Sequence, residues 1–171
     1  CYKCTSIGTY IVQNSELIVK AISAPISRRP VMVKGNMAYG SAVIFDEATK
    51  DEEEGKDPEV SRFVKKVYGS KEMMDNEPRY CLWIDDRDLE EASSHSFVQR
   101  KLAEITECRR TLKDCPQKLK DKPHRFRETN LTSHGKQSLV IPSVSSENRA
   151  YHPMGFLYSD SVVTNLSFAI Y

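Results

Sequence analysis

The sequence predicts an α+β fold, a single domain in which a mixed or antiparallel sheet packs against a few helices. Three observations predict it. Short runs rich in valine and isoleucine, each bounded by turn residues, indicate strands along the chain. One long segment has the apolar periodicity of an amphipathic helix. Strands and helices follow each other irregularly without internal repeats, and 171 residues are enough to enclose one core.

Three strands are predicted in the first part of the chain. Residues 16–22 read ELIVKAI and residues 29–35 read RPVMVKG, and both runs are β-branched with turn residues around them. A glycine-bounded turn then leads to a third short strand that ends at Phe45.

An acidic segment and a helix are predicted next. Residues 46–57, which include DEEEGKD, are expected to form an acidic surface loop. Asp57 is a residue type typical of a helix N-cap, and Pro58 is typical of the first helical position. Gly69 is typical of a helix end. The apolar residues that share one predicted helical face between them are Val60, Phe63, Val64 and Val67.

The second half contains the longest predicted helix, from His95 to about Leu112. Its apolar stripe consists of Phe97, Val98, Leu102, Ile105 and Cys108, so the basic residues are expected on the opposite face. Before it, RYCLWI at residues 79–84 predicts a strand with Cys81 and Trp83 in the core. After it, strands are predicted within residues 138–144, 151–157 and 166–171.

Charge is segregated along the chain, although the net charge is only +1. Residues 46–91 are strongly acidic, and residues 99–127 are strongly basic. A long one-sided positive run is typical of proteins that bind a phosphate backbone. The alternative is that both segments are solvated surface, which we expect for the acidic one, including Asp85–Asp88, where capping and solvation are the better interpretation than a metal site.

The sequence contains no pattern that indicates catalysis or metal binding by this chain. Its five cysteines are scattered and odd in number, which fits reduced thiols in a cytoplasm. Cys1 and Cys4 form a lone CxxC without the second pair that a zinc site needs. Phosphate-loop, dinucleotide-binding, HExxH and GxSxG motifs do not occur. No apolar run has transmembrane length, so we expect no membrane partner.

Residues 139–156, LVIPSVSSENRAYHPMGF, place a polar run between two predicted strands. Arginine pairs with guanine, asparagine with adenine, and glutamate with the amino group of cytosine. The run SSENRAY offers these side chains together, and flanking strands would hold them rigidly. The alternative is a polar hairpin tip without a partner.

Several segments, kept in order, resemble the target recognition domain of the MmeI-like (type IIL) restriction–modification enzymes. They are RYCLWIDDRDLEEAS, ECRRT, PHRF, LVIPSVSSENRAYHPMGFL and NLSFAIY, with YIVQNSELIV and PISRRPVMVKGNMAYGSAVIF before them. The resemblance extends from about Thr9 to Tyr171. It departs from the usual pattern in the acidic insertion after Asp46 and in TLKDCPQKLK.

The resemblance implies that residues 1–171 are a DNA target recognition domain within a longer, cytoplasmic, bacterial polypeptide. Members of this family join a nuclease, an adenine-N6 methyltransferase that uses S-adenosylmethionine, and the recognition domain. This chain contains neither methyltransferase nor nuclease motifs, so no cofactor is expected in it. The expected partners are double-stranded DNA and the methyltransferase module of the same polypeptide.

The resemblance also implies two groups of DNA-contacting residues. The base-reading candidates are Ser145, Ser146, Glu147, Asn148, Arg149 and Tyr151. The candidates for the phosphate backbone and the adjoining loop are Arg109, Arg110, Lys113, Gln117, Lys118, Lys120 and Arg125.

Glu147 and Arg149 are expected in an extended segment, where alternation would send both side chains to the same side. The alternative at these two positions is a salt bridge between them. For the whole chain, the alternative function is a protein-interaction domain that docks on the methyltransferase module without reading bases.

Overall fold

The computed structural model describes residues 21–22, 30–129, 137–158 and 160–171. Cys1 and Cys4 lie outside these residues, as does the strand predicted at 16–22 except for Ala21 and Ile22.

The described residues form eight strands and five α-helices. The strands are β1 (Met32–Lys34), β2 (Ile44–Phe45), β3 (Val64–Tyr68), β4 (Arg79–Leu82), β5 (Ser138–Pro142), β6 (Gly155–Leu157), β7 (Ser161–Val163) and β8 (Ser167–Ile170). The helices are α1 (Glu47–Lys56), α2 (Ser70–Asp75), α3 (Leu89–Ala92), α4 (Ser96–Thr111) and α5 (Gln117–Lys120), with 3-10 turns at Ser41–Val43, Pro58–Phe63 and Asp86–Asp88. Among these helices, none has the length and apolar composition needed to cross a bilayer.

The strands form two four-stranded sheets, and the predicted α+β class is confirmed. The first sheet has the order β1-β8-β5-β6 and is antiparallel throughout. The second has the order β2-β4-β3-β7, in which only the β3–β7 pair is parallel. The sheets are therefore antiparallel and mixed, as predicted, whereas β7 and α2 were not predicted.

The acidic segment is a helix, so the prediction of a surface loop at 46–57 is wrong. Asp46 caps α1 by accepting a hydrogen bond from the Thr49 backbone N–H at 2.9 Å. Lys50 pairs with Glu54 at 3.1 Å, and Lys56 pairs with Glu52 at 2.6 Å. Both pairs have the i, i+4 spacing that stabilises a helix. Ion pairs between oppositely charged residues, rather than apolar periodicity, therefore stabilise α1.

The helix predicted after Pro58 is correct only for its first part. Pro58–Phe63 form a 3-10 helix, and Val64–Tyr68 then continue as strand β3. The apolar spacing fits a helix, but β-branched residues also suit a strand. Pairing of β3 with β4 on one side and β7 on the other decides the outcome.

The core surrounds the second sheet. Alternate residues of β4 and its continuation pack into two different hydrophobic clusters. Tyr80 and Leu82 belong to one cluster, and Cys81 and Trp83 belong to the other. Complete burial raises the pKa of the Cys81 thiol well above its ordinary value, as expected of a core cysteine. Trp83 is half-buried and lies 5.2 Å from the Phe126 ring, measured between ring centroids.

Gly35 and Asn36 join the two sheets. The Gly35 N–H donates to Ser167 O at 3.0 Å, and the Asn36 N–H and side-chain amide both donate to Val163 O, at 2.7 and 3.1 Å. Asn36 is fully buried. A Cβ atom on Gly35 would lie 2.2 Å from Thr164 O, so only glycine allows this approach of the two backbones.

We expect Gly35→Ala to lower the free energy of unfolding by about 2 kcal/mol or more, because the new methyl group must displace backbone. Urea unfolding measures this change. Gly55→Ala, at a helical position with nothing within 4 Å of the added Cβ, is the matched control. It should stabilise the protein by about 0.5–1 kcal/mol. Equal effects at the two positions would contradict the close backbone approach at Gly35.

Candidate nucleic-acid interface

The polar loop of residues 143–154 connects β5 to β6 and is anchored at both ends. The Ser143 backbone N–H and hydroxyl both donate to Leu166 O, at 2.9 and 2.6 Å. His152 Nε2 lies 3.0 Å from Pro142 O. These contacts hold the ends of the loop against the first sheet and leave its middle exposed.

The middle of the loop is a turn, so the prediction of an extended segment around Glu147 and Arg149 is wrong. The Arg149 N–H donates to Ser146 O at 3.2 Å, and the Asn148 N–H donates to the Ser146 hydroxyl at 3.2 Å. A serine hydroxyl that accepts from the backbone two residues ahead favours a turn over a strand. Alternation therefore does not apply to Glu147 and Arg149.

The side chains of Glu147, Asn148, Arg149 and Tyr151 have no hydrogen-bond or ion-pair partner among the described residues. Five of the six predicted base-reading residues are exposed, and Ser145 is half-buried; the exposed five are Ser146, Glu147, Asn148, Arg149 and Tyr151. Tyr151 is 88% exposed. Within the described part of the chain, no ion pair joins Glu147 to Arg149, which contradicts the salt-bridge alternative. Their side chains remain available to another molecule.

Arg109 is not a phosphate contact, and its prediction as one is wrong. Its side chain is fully buried, and its guanidinium makes five hydrogen bonds to backbone carbonyls. The five acceptors are the carbonyl oxygens of Ala38, Tyr39, Leu119, Lys122 and Arg125, at 2.9–3.2 Å. An arginine has five N–H donors, so none is left for DNA. Burial lowers the pKa of Arg109 from its ordinary value.

A sequence signal for this burial exists. Val98 and Ile105 are buried on α4, Leu102 between them is half-buried, and Arg109 continues their spacing of three and four residues. Arg109 therefore lies on the apolar stripe of the helix. The expectation that every basic residue of the helix faces away from the core fails at this position.

The other predicted phosphate residues differ in availability. Arg110 is 70% exposed and lies 3.3 Å from Glu107, and Gln117 donates to Asp121 at 2.8 Å. Arg125 is held by Asp85 and Asp86 at 3.3 and 3.0 Å. The residues for which the described part of the chain contains no ion pair are Lys113, Lys118 and Lys120.

Asp86 connects the acidic and basic segments, which the sequence did not indicate. Its carboxylate lies 2.8 Å from Lys122 Nζ, 2.6 Å from His124 Nε2 and 3.0 Å from Arg125 Nε. Hydrogen bonds from Arg125, Lys122 and His124 hold the pKa of Asp86 well below its ordinary value. The interpretation of Asp85–Asp88 as capping and solvation is therefore wrong for Asp86, which orders the loop after α5.

The two groups of candidate residues are held by different elements, one by the first sheet and the other by α4, α5 and the loop after them. Among the described residues, no group of three or more histidine, cysteine, aspartate and glutamate side chains has the arrangement of a metal site. Cys81, Cys108 and Cys115 are free thiols. What the described surface offers is hydrogen-bonding and cationic groups.

Arg109→Lys keeps the charge but supplies at most three N–H donors, so at least two carbonyls lose a partner. We expect it to lower the free energy of unfolding by about 2 kcal/mol or more, since an unsatisfied buried group costs about 1–3 kcal/mol. Arg110→Lys, at the exposed neighbouring position, should change it by less than about 0.5 kcal/mol. Chemical denaturation of both variants measures the difference, and equal stability would contradict the role of the buried guanidinium.

Asp86→Asn should lower the thermal unfolding midpoint at neutral pH. A depressed folded-state pKa contributes stability above the unfolded value of about 3.9 and loses it as pH falls toward the folded value. The difference from the unmodified protein should be constant above about pH 5 and narrow below about pH 4.

Asp75→Asn is the control for this prediction, because Asp75 is exposed and no described side chain donates to it. It should leave the midpoint unchanged at each pH. If the difference in unfolding midpoint between Asp86→Asn and the unmodified protein widened in acid, the stabilising role of the Asp86 carboxylate would be contradicted.

Comparison with known proteins agrees with these features. The family model for the MmeI target recognition domain matches residues 13–171. DNA methyltransferase A of Bacillus subtilis (strain 168) is 33% identical over 169 residues, which are 98% of this chain and 19% of that protein. The structure of the type IIL restriction–modification enzyme MmeI in complex with DNA is similar with a TM-score of 0.82 and 25% identity, over 99% of this chain and 23% of that one.

This chain thus spans about a fifth of the length of these relatives. The family model covers nearly all of the chain, and the matched MmeI structure has the same fold. The resemblance found in the sequence is confirmed: the chain belongs to the MmeI target recognition domain family.

Proposed function

We propose that this chain reads the sequence of double-stranded DNA as the recognition module of a longer DNA methyltransferase. The observation that carries the proposal is the loop 143–154, whose ends are anchored and whose exposed side chains at Glu147, Asn148, Arg149 and Tyr151 have no partners among the described residues. The similarity to MmeI, whose structure contains DNA, and to a Bacillus DNA methyltransferase supports it.

The base-reading residues are Glu147, Asn148, Arg149 and Tyr151, with Ser145 and Ser146 beside them. Arg149 has the donors that match O6 and N7 of guanine, and Glu147 accepts from the amino group of cytosine. In the turn, Glu147 and Asn148 occupy the two central positions and Arg149 the last. The three side chains therefore project from one tight bend of the backbone, so a single groove of the duplex would contact all of them.

The phosphate-positioning residues are Lys113, Lys118 and Lys120, with Arg110 at the end of α4 and Gln117 at the start of α5. Free cations on the protein release counterions from DNA and give affinity without sequence preference. Arg125 contributes less than its charge implies, because Asp85 and Asp86 already hold it. Its role is to order the loop after α5, the helix that carries Lys118 and Lys120.

In the longer protein we infer adenine-N6 methylation with S-adenosylmethionine, in the cytoplasm, with or without a nuclease module. This chain contains neither an Asn-Pro-Pro-Tyr motif nor a glycine-rich cofactor motif. Its own residues therefore do not suit the cofactor, which would bind to the methyltransferase module. That module is the partner against which this chain is held.

The test exchanges the charges of the two central candidates in the full-length protein. Glu147→Lys combined with Arg149→Asp should leave the fold intact, because both side chains are exposed and unpaired. It should alter the modified DNA sequence at one position, since a good base contact discriminates by about 1–3 kcal/mol. Sequencing of methylated adenines in cells that carry each version measures the change.

Lys118→Ala is the control, because the loss of a phosphate contact should weaken binding to all sequences alike and reduce the salt slope by about one unit. The recognised sequence should stay the same in this variant. If the exchanged pair methylates the original sequence at full activity, Glu147 and Arg149 do not read bases. The chain would then act by docking on the methyltransferase module.

A further inference from the structure

A cleft of about 650 Å³ lies between β3 and β6, and neither group of candidate DNA-contacting residues contributes to it. Its walls combine cationic and aromatic side chains: Arg62, Lys65, Lys66, Tyr68, Phe156 and Tyr158. Strand β6 directly follows the loop 143–154, so the cleft adjoins the proposed base-reading loop in the chain.

Tyr68 supplies an unused polar group to this cleft. The residue is only 9% exposed, and within the described part of the chain its hydroxyl has no hydrogen-bond partner. Burial raises the pKa of Tyr68. This hydroxyl is open to the cleft rather than enclosed, so a ligand that enters the cleft would be able to hydrogen-bond to it.

The charge of the cleft favours an anion. Lys66 is two residues before Tyr68 on β3, so alternation places both side chains on the same face of the strand. Lys66 is exposed and forms no ion pair with the described residues. Lys65 lies 3.3 Å from Asp160, the one anionic side chain among the lining residues. A phosphate beside Lys66 would balance the excess positive charge.

Phe156 and Tyr158 are 62% and 68% exposed. Large aromatic side chains at this exposure, next to the unpaired Lys66, are characteristic of sites that stack unpaired bases. Duplex DNA alone does not need such groups, because its bases are already stacked. A methyltransferase that acts on a base must extrude it from the duplex, which leaves unstacked nucleotides close to the protein.

We propose that this cleft binds one unstacked nucleotide of the DNA strand. Lys66 and Lys65 hold its phosphate, Phe156 and Tyr158 stack on its base, and the Tyr68 hydroxyl hydrogen-bonds to it. The proposal deepens the proposed function and rests on it, because the loop 143–154 brings the DNA to this edge of the sheet.

The experiment uses the full-length protein and a fluorescein-labelled oligothymidylate of about five nucleotides, with binding followed by fluorescence anisotropy. Phe156→Ala should weaken binding by roughly five-fold or more, as expected for loss of one stacking contact. Tyr68→Phe, which removes only the hydroxyl, should weaken it by about two- to ten-fold. Leu166→Ala, at an exposed apolar residue outside the cleft, is the matched control and should bind as before.

Photo-crosslinking gives a second readout. An oligonucleotide with 5-bromodeoxyuridine should crosslink to the peptide that contains Phe156 and Tyr158, as located by mass spectrometry. Unchanged affinity in both Phe156→Ala and Tyr68→Phe, or crosslinks only elsewhere, would overturn the proposal. The proposal would also be overturned if an acidic peptide displaced the oligonucleotide and Phe156→Ala weakened peptide binding more than oligonucleotide binding. That result would favour a protein-docking cleft.

The two proposals fail in different ways. The variant with Glu147→Lys and Arg149→Asp should bind oligothymidylate normally, because its changes lie outside the cleft. Normal oligonucleotide binding with an unaltered methylation sequence counts against base reading by the loop. An altered methylation sequence together with no effect of Phe156→Ala counts against the cleft alone.

Discussion

The guanidinium of Arg109 is the contact on which the organisation around α4 depends. Its five hydrogen bonds reach the backbone at Ala38 and Tyr39, before β2, and at three carbonyls of α5 and the loop beyond it. Each carbonyl lies in irregular structure or at a helix end, where the regular backbone ladders leave acceptors free. One buried cation thus replaces the secondary-structure hydrogen bonds that two separate segments lack, and fixes both against the same helix.

Ion pairing then decides which positive charges stay unpaired on the surface. The acidic and basic runs are separate segments of the sequence, yet Asp86 pairs with Lys122 and Arg125, and Arg100 pairs with Glu53 at 2.9 Å. Largely exposed pairs such as that of Asp86 with Lys122 add little stability individually. Their main effect is on the surface potential, because they neutralise part of the basic run. The unpaired lysines 113, 118 and 120 are what remains of it among the described residues.

The junction of the two sheets determines where the polar loop stands. Leu166 O accepts from Ser143 and from the Ser70 hydroxyl at 2.6 Å, so the start of the loop, the turn between β7 and β8, and α2 meet at one carbonyl. The Thr164 N–H donates to Tyr68 O at 2.9 Å in the same region. A loop held by such contacts presents its side chains from a rigid base, which is what selective recognition of base edges requires.

The sequence by itself determined the fold class, the long helix α4, most strands and the family, because these follow from apolar periodicity and from ordered motifs. It also singled out the run Ser145–Tyr151, which is exposed except for Ser145. Only the tertiary structure decided that Val64–Tyr68 form a strand, that Arg109 is buried and that Asp86 orders a basic loop. The physical reason is common to all three. Their partners lie many residues away, and local propensity carries no information about a strand neighbour, a distant carbonyl or an opposite charge until the chain has folded.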